Sequence, residues 1–108
     1  MDKGYAYIAD LSYELGDIPK NGIVSRTLQN DGHMKVILFG FDQGQELSEH
    51  IASMPANIQV IRGEARITLG DDLVKARAGA WIYMSPGIRH SIYAETTLVM
   101  LLLLIKSK

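Results

Sequence analysis

The sequence predicts an all-β domain, a sandwich or barrel, and three observations carry that expectation. Turn signals recur along the chain: Pro19-Lys20-Asn21-Gly22, Asn30-Asp31-Gly32, Asp42-Gln43-Gly44, Arg62-Gly63-Glu64, Gly70-Asp71-Asp72, Ala78-Gly79 and Ser85-Pro86-Gly87. The stretches between them are short, many with β-branched or aromatic residues, as strands are. The chain is 108 residues long, one domain's length, and neither a linker nor a repeat divides it.

The N-terminus fits two patterns. Tyr5, Tyr7, Ala9, Leu11, Tyr13 and Leu15 recur with a period of two, whereas Ile8, Leu11, Ser12 and Leu15 fit a helical turn capped by Asp10. A short strand near Tyr5–Ile8 followed by one or two helical turns is expected. Residues 1–33 then lead into a barrel body at 34–108. Strand character follows at Ile23–Leu28, Met34–Phe41, Ile58–Ile61, Ala65–Leu69, Leu73–Ala76, Trp81–Met84, Ser91–Ala94 and Thr97–Ile105. Ala65 to Leu69 alternates as a half-buried strand does, and Gly70-Asp71-Asp72 can reverse the chain tightly into Leu73–Ala76. Trp81 reads as core. Met34, Met54, Met84 and Met100 read as core or pocket lining, since methionine fills irregular gaps. Arg62 and Arg66 are expected to meet solvent.

The last strand, Leu98 to Ile105, is apolar on both faces. A strand wet on one face would alternate with polar residues, so both faces must be covered. Leaving four such side chains exposed would forgo roughly 1.5–3 kcal/mol each. A homodimer formed partly over this strand is therefore expected.

Composition removes several function classes. Eleven basic residues against twelve acidic ones leave a net charge of −1, which gathers neither nucleic acid nor an anionic membrane. With no cysteine, disulfides, zinc-thiolate sites, iron–sulfur clusters and a cysteine nucleophile are excluded. No dinucleotide or phosphate loop occurs, and no nucleophile elbow. Met1-Asp2-Lys3-Gly4-Tyr5 does not open like a signal peptide, and the longest apolar run is too short to span a bilayer. A cytoplasmic protein is expected.

Of three histidines, His33 belongs to a turn, whereas His50 and His90 sit in frames with spaced glycines. The first frame runs from Gly44 through His50 to Gly63. The second is Gly79-Ala80-Trp81-Ile82-Tyr83-Met84-Ser85-Pro86-Gly87-Ile88-Arg89-His90. Together they resemble the two motifs of the cupin superfamily, specifically a small single-domain, RmlC-like cupin, over about residues 34–105. The resemblance implies a cupin-type double-stranded β-helix, a jelly-roll-like barrel with a mostly apolar cavity in which His50 and His90 meet.

It also implies a metal site, and there the sequence departs. A typical cupin holds its metal with three histidines and a glutamate. Ala52 stands at the second histidine position, Ala56 at the glutamate position, and Ala94 where the second motif has asparagine. Two ligand positions of four remain. His50 and His90 could hold a divalent transition metal (zinc, iron, nickel or manganese) only with help from water or another side chain. Gln45, Gln59, Tyr93 and Met54 are the other candidate pocket residues, with Glu46 a further candidate helper. The leading expectation is a binding module holding a small organic molecule by the two histidines. The alternatives are a metal-dependent oxygenase or isomerase with those histidines as ligands, a proton shuttle between the rings, and an interaction role carried by a dimer surface. Whether the chain is an enzyme, and on what, stays open at this point.

Overall fold

The structure, a computed structural model, describes residues 4–106. One short helix, α1 (Leu11–Leu15), precedes nine strands: β1 (Ile23–Asn30), β2 (Met34–Phe41), β3 (Glu46–Ile51), β4 (Ala56–Arg62), β5 (Glu64–Leu69), β6 (Asp72–Arg77), β7 (Trp81–Met84), β8 (Arg89–Ala94) and β9 (Leu98–Ile105). They form two antiparallel sheets, ordered β1-β2-β9-β4-β7 and β3-β8-β5-β6. This is the expected all-β architecture, with α1 the expected helical turn.

Asp10 caps α1, its Oδ1 accepting from the backbone N–H groups of Ser12 at 3.1 Å and Tyr13 at 3.3 Å. The strand expected at Tyr5–Ile8 does not form; that segment joins neither sheet. Its alternation is a property of side-chain order alone, since no neighbouring strand takes up its backbone groups.

Alternation decides the interior. Phe41, Ile58, Val60, Leu98 and Met100 from the first sheet face Ala65, Ile67, Ile92 and Ala94 from the second, and all are buried. A second cluster lies outside the first sheet, where Leu11, Leu15 and Ile18 pack on Leu38, Val99 and Leu101. Gly40 is what lets that segment lie so close. A Cβ there would meet Leu15 Cδ2 at 2.4 Å and Ile18 Cγ1 at 2.8 Å. So β9 is covered on both faces near Val99, but by its own N-terminal segment. The covering expected from a second subunit is provided there within the chain.

The β5–β6 hairpin expected from the sequence forms, but Asp72, read as part of the turn, opens β6 opposite Leu69 across a two-residue turn. Gly63, between β4 and β5, holds φ at 88°, and a Cβ would lie 2.0 Å from the Thr97 carbonyl oxygen. Only glycine fits a position both left-handed and that crowded. Trp81 is not core: it is 62% exposed on the outer face of β7. Its neighbour across the sheet, Gln59 of the interior strand β4, is exposed on the same outer face, so no layer covers this part of the sheet.

Candidate functional site

His50 and His90 come from β3 and β8, which are neighbours in the second sheet. Leu47 stands opposite Ile92 and His50 opposite His90. Three steps along β3 therefore match two along β8, which is a β-bulge with one extra residue. Plain alternation from Leu47, which packs against the core, would turn His50 outward. The bulge restores it to the inner face beside His90. The ring centroids are 4.1 Å apart, with the planes at 59°.

Each ring is latched to its own strand. His50 Nδ1 lies 3.0 Å from the Ser48 carbonyl oxygen and His90 Nδ1 lies 3.2 Å from that of Ile88. A carbonyl oxygen only accepts, so Nδ1 carries the proton on both rings and donates it there. Nε2 on each neutral ring is left with a lone pair. His90 is 3% exposed, while His50 is exposed. Burial pushes the His90 pKa below its ordinary value; the bond to Ile88 opposes this, and the nearby His50 adds to the lowering. The pair thus runs from a buried ring to one that meets water.

The carboxylates nearby are turned away. Arg89, on the outer face of β8, reaches Glu49 at 3.2 Å and Asp71 at 2.9 Å. Glu49 accordingly faces outward, as adjacency to His50 suggests. No carboxylate is bonded to either ring among the described residues.

The other pocket candidates are not gathered around the pair. Gln59 is exposed on the outer face of β4, opposite Trp81 and Leu101. Tyr93 lies on the outer face of β8, with the Arg66 guanidinium 4.4 Å from its ring centroid. Gln45 is in the turn before β3, its carbonyl accepting from the Ala94 N–H, at the opposite end of β8 from His90. Glu46 is exposed and pairs with Tyr93 across the same outward row. Met54 is half-buried in the loop after β3, on the histidine end of that strand. Arg66 is not simply solvated: besides Tyr93 it meets Glu95, Nε to Oε2 at 2.7 Å. That contact is close but poorly aligned for a hydrogen bond, and the buried Nε has no better partner.

Two surface depressions lie elsewhere. One of about 300 Å3 is bounded by Glu46, Arg66, Thr68, Leu73, Ser91 and Tyr93 on the outside of the second sheet. The other, about 460 Å3, is bounded by Glu64, Lys75, Arg77 and Glu95 with two alanines. Neither includes a histidine. The candidate site is placed by its chemistry, at the inner end of β3 and β8, rather than by the size of a hollow.

The residues present do not fit a cupin metal centre. Ala52 lies in the turn after β3 and Ala56 opens β4, buried and without a donor atom. Among the described residues no three His, Asp or Glu side chains are grouped to hold a metal ion.

Comparison with known proteins places the chain. A conserved protein of unknown function from Streptococcus pyogenes is 31% identical to it, with a TM-score of 0.86 over 96% of this chain and 90% of that one. An RmlC-like cupin from Desulfovibrio desulfuricans is 25% identical, with a TM-score of 0.75 over 82% of this chain and 87% of that one. A cupin superfamily protein from Desulfitobacterium hafniense shares the fold at 22% identity, with a TM-score of 0.77 over 81% and 80% of the two chains. No family model and no curated relative matches the sequence. The chain is a small single domain with the double-stranded β-helix fold of the RmlC-like cupins it resembles.

Proposed function

We propose that the chain is a cytoplasmic binding module that holds a small organic molecule at the His50–His90 pair. One observation carries the reading: two imidazoles lie 4.1 Å apart with both Nδ1 protons already spent on backbone carbonyls. Two Nε2 acceptors are then presented side by side. A matching ligand supplies hydroxyl or N–H donors to them. Leu47, Ile92 and Leu69 occupy the same inner face around the rings, so an apolar body beside those donors suits the site. Nothing in this reading requires a bond to be broken.

A metal-dependent oxygenase or isomerase is the second reading. In its favour, a ring anchored through one nitrogen to a carbonyl is the arrangement in which the other nitrogen ligates a metal. Against it stand the two alanines at ligand positions. No described helix is long and apolar enough to cross a membrane.

The test is metal analysis of untagged protein joined to a calorimetric screen of small amphiphiles bearing hydroxyl or amide donors. The binding reading expects no stoichiometric zinc, iron, nickel or manganese and a ligand whose affinity falls about tenfold, or about 1.4 kcal/mol, in both His50→Ala and His90→Ala. A full equivalent of metal lost in both variants would move the assignment to the second reading. Ligands that bind equally well to both variants would remove the histidines from the site.

A further inference from the structure

We infer that the molecule held at the His50–His90 pair is a small hydroxycarboxylic acid, its hydroxyl taken by the rings and its carboxylate by Lys35. The inference deepens the ligand reading above and rests on it.

Topology brings Lys35 to the histidines. Four short links join the sheets: residues 42–45 between β2 and β3, 95–97 between β8 and β9, Gly63 between β4 and β5, and 78–80 between β6 and β7. With strands ordered β2-β9-β4-β7 in one sheet and β3-β8-β5-β6 in the other, those links stack β2 over β3, β9 over β8, β4 over β5 and β7 over β6. His50 and His90 lie at the ends of β3 and β8 remote from the links. The inner row of the second sheet at that end is His50, His90, Leu69, Asp72. The facing row of the first sheet is Lys35, Leu104, Ala56, Met84. Phe39 and Phe41 pack into the core, and β2 pairs with β9 without a register shift, so Lys35 shares their inward side. Lys35 therefore stands across the barrel end from His50.

Charge then selects the ligand. Lys35 is half-buried, and no other ionisable side chain lies on the inward rows of the first sheet among the described residues. Among those residues no carboxylate pairs with it. Asp31, the acid of its own hairpin, spends its carboxylate on the turn, accepting from the His33 N–H at 2.8 Å, the Met34 N–H at 3.0 Å and Gln29 Nε2 at 3.0 Å. Lys106, which follows β9, is already bonded to Asn30 Oδ1 at 2.6 Å and to the Asp31 carbonyl oxygen at 2.7 Å. Asp72 is exposed on the edge strand β6, three strands from His50 and so about 14 Å away. One ammonium thus faces two Nε2 acceptors. A carboxylate matches that single charge, and a hydroxyl donates to Nε2. A phosphate would bring a second negative charge, and no arginine fork stands on these two rows to receive it.

Calorimetry on the untagged protein at neutral pH tests this with two hydroxy acids, 3-phenyllactate and 2-hydroxy-4-methylpentanoate, and the uncharged primary amide of each. At least one acid should bind about tenfold tighter than its amide. Lys35→Gln should remove that preference and leave the amide's affinity in place, whereas Lys35→Arg, which keeps the charge, should retain most of it. His50→Ala and His90→Ala should weaken acid and amide alike. Urea midpoints of the variants show whether each is folded. Amides that bind as tightly as the acids, or a preference that survives in folded Lys35→Gln, overturn the inference. If the histidine variants still lose the amide in either case, the broader ligand reading stands. Acid binding that needs Lys35 but neither histidine overturns both, and so does the absence of binding by all four probes together with every neutral amphiphile. Binding of a neutral amphiphile alone, through the histidines, overturns only the inference drawn here.

Discussion

β9 and β3 are strands of opposite design, and the contrast separates what holds this molecule together from what it does. β9 lies in the middle of its sheet, between β2 and β4. Its inward residues Leu98 and Met100 are wholly buried, and its outward Val99 is sealed by the N-terminal segment. β3 is an edge strand of Glu-Leu-Ser-Glu-His-Ile, with five of its six residues exposed. It contributes one apolar contact, through Leu47, and one chemical group, His50. Stability is concentrated where the strand is apolar on both sides. Chemistry sits where the strand is irregular and wet.

Substitutions can break that contrast. The largest effect is expected from Met100→Ala, which empties the centre of the core and should cost about 2–5 kcal/mol in urea unfolding. A loss below about 1 kcal/mol would mean that β9 does not organise the interior. Gly40→Ala comes next. The new methyl must displace Leu15 and Ile18, and overpacking of this kind costs about 1–3 kcal/mol. An unchanged urea midpoint would show that α1 moves aside freely and does not seal β9.

A pH effect of intermediate size is expected from His90. Its pKa is lowered in the folded chain, so the unfolded chain binds the proton more readily. The stability tied to its neutral form is complete above the unfolded value of about 6.5 and is lost as pH falls below it. Urea midpoints should therefore decline between neutral and mildly acid pH, and His90→Asn should flatten that decline. An equal slope in the variant would assign the effect to other groups. The smallest effect is expected from His50→Ala, within about 0.5 kcal/mol of the parent because the residue is exposed. A loss as large as that of Met100→Ala would erase the division between the two strands.

Much of this was legible in the residues. The β5–β6 hairpin announces itself through an alternating strand and a glycine-aspartate turn, both local signals. β9 announces itself through continuous apolarity. β3 has no such signature: a polar edge strand looks like a loop, and only the spacing of Gly44, His50 and Gly63 suggested that something lay there. Trp81 reads as core because bulk and apolarity favour burial, whereas its exposure is set by what lies over the outer face of the sheet, which is a property of the whole fold. Gln59 and Tyr93 could have been placed correctly. Ile58 and Val60 flank one, Ile92 and Ala94 the other, and that alternation points both outward. The inward turn of His50 was reached from its motif, but the bulge behind it depends on pairing with β8 and leaves no mark in a single strand.

That extra residue in β3 makes the two strands unequal toward changes in chain length. Dropping Ser48 or Glu49 would leave His50 two positions after Leu47, in ordinary alternation, still on the same side. Dropping Ser91 would place His90 directly before Ile92 and swing its ring to the other side of the sheet. A lineage carrying this fold can therefore shorten one strand without parting the two imidazoles, and cannot shorten the other.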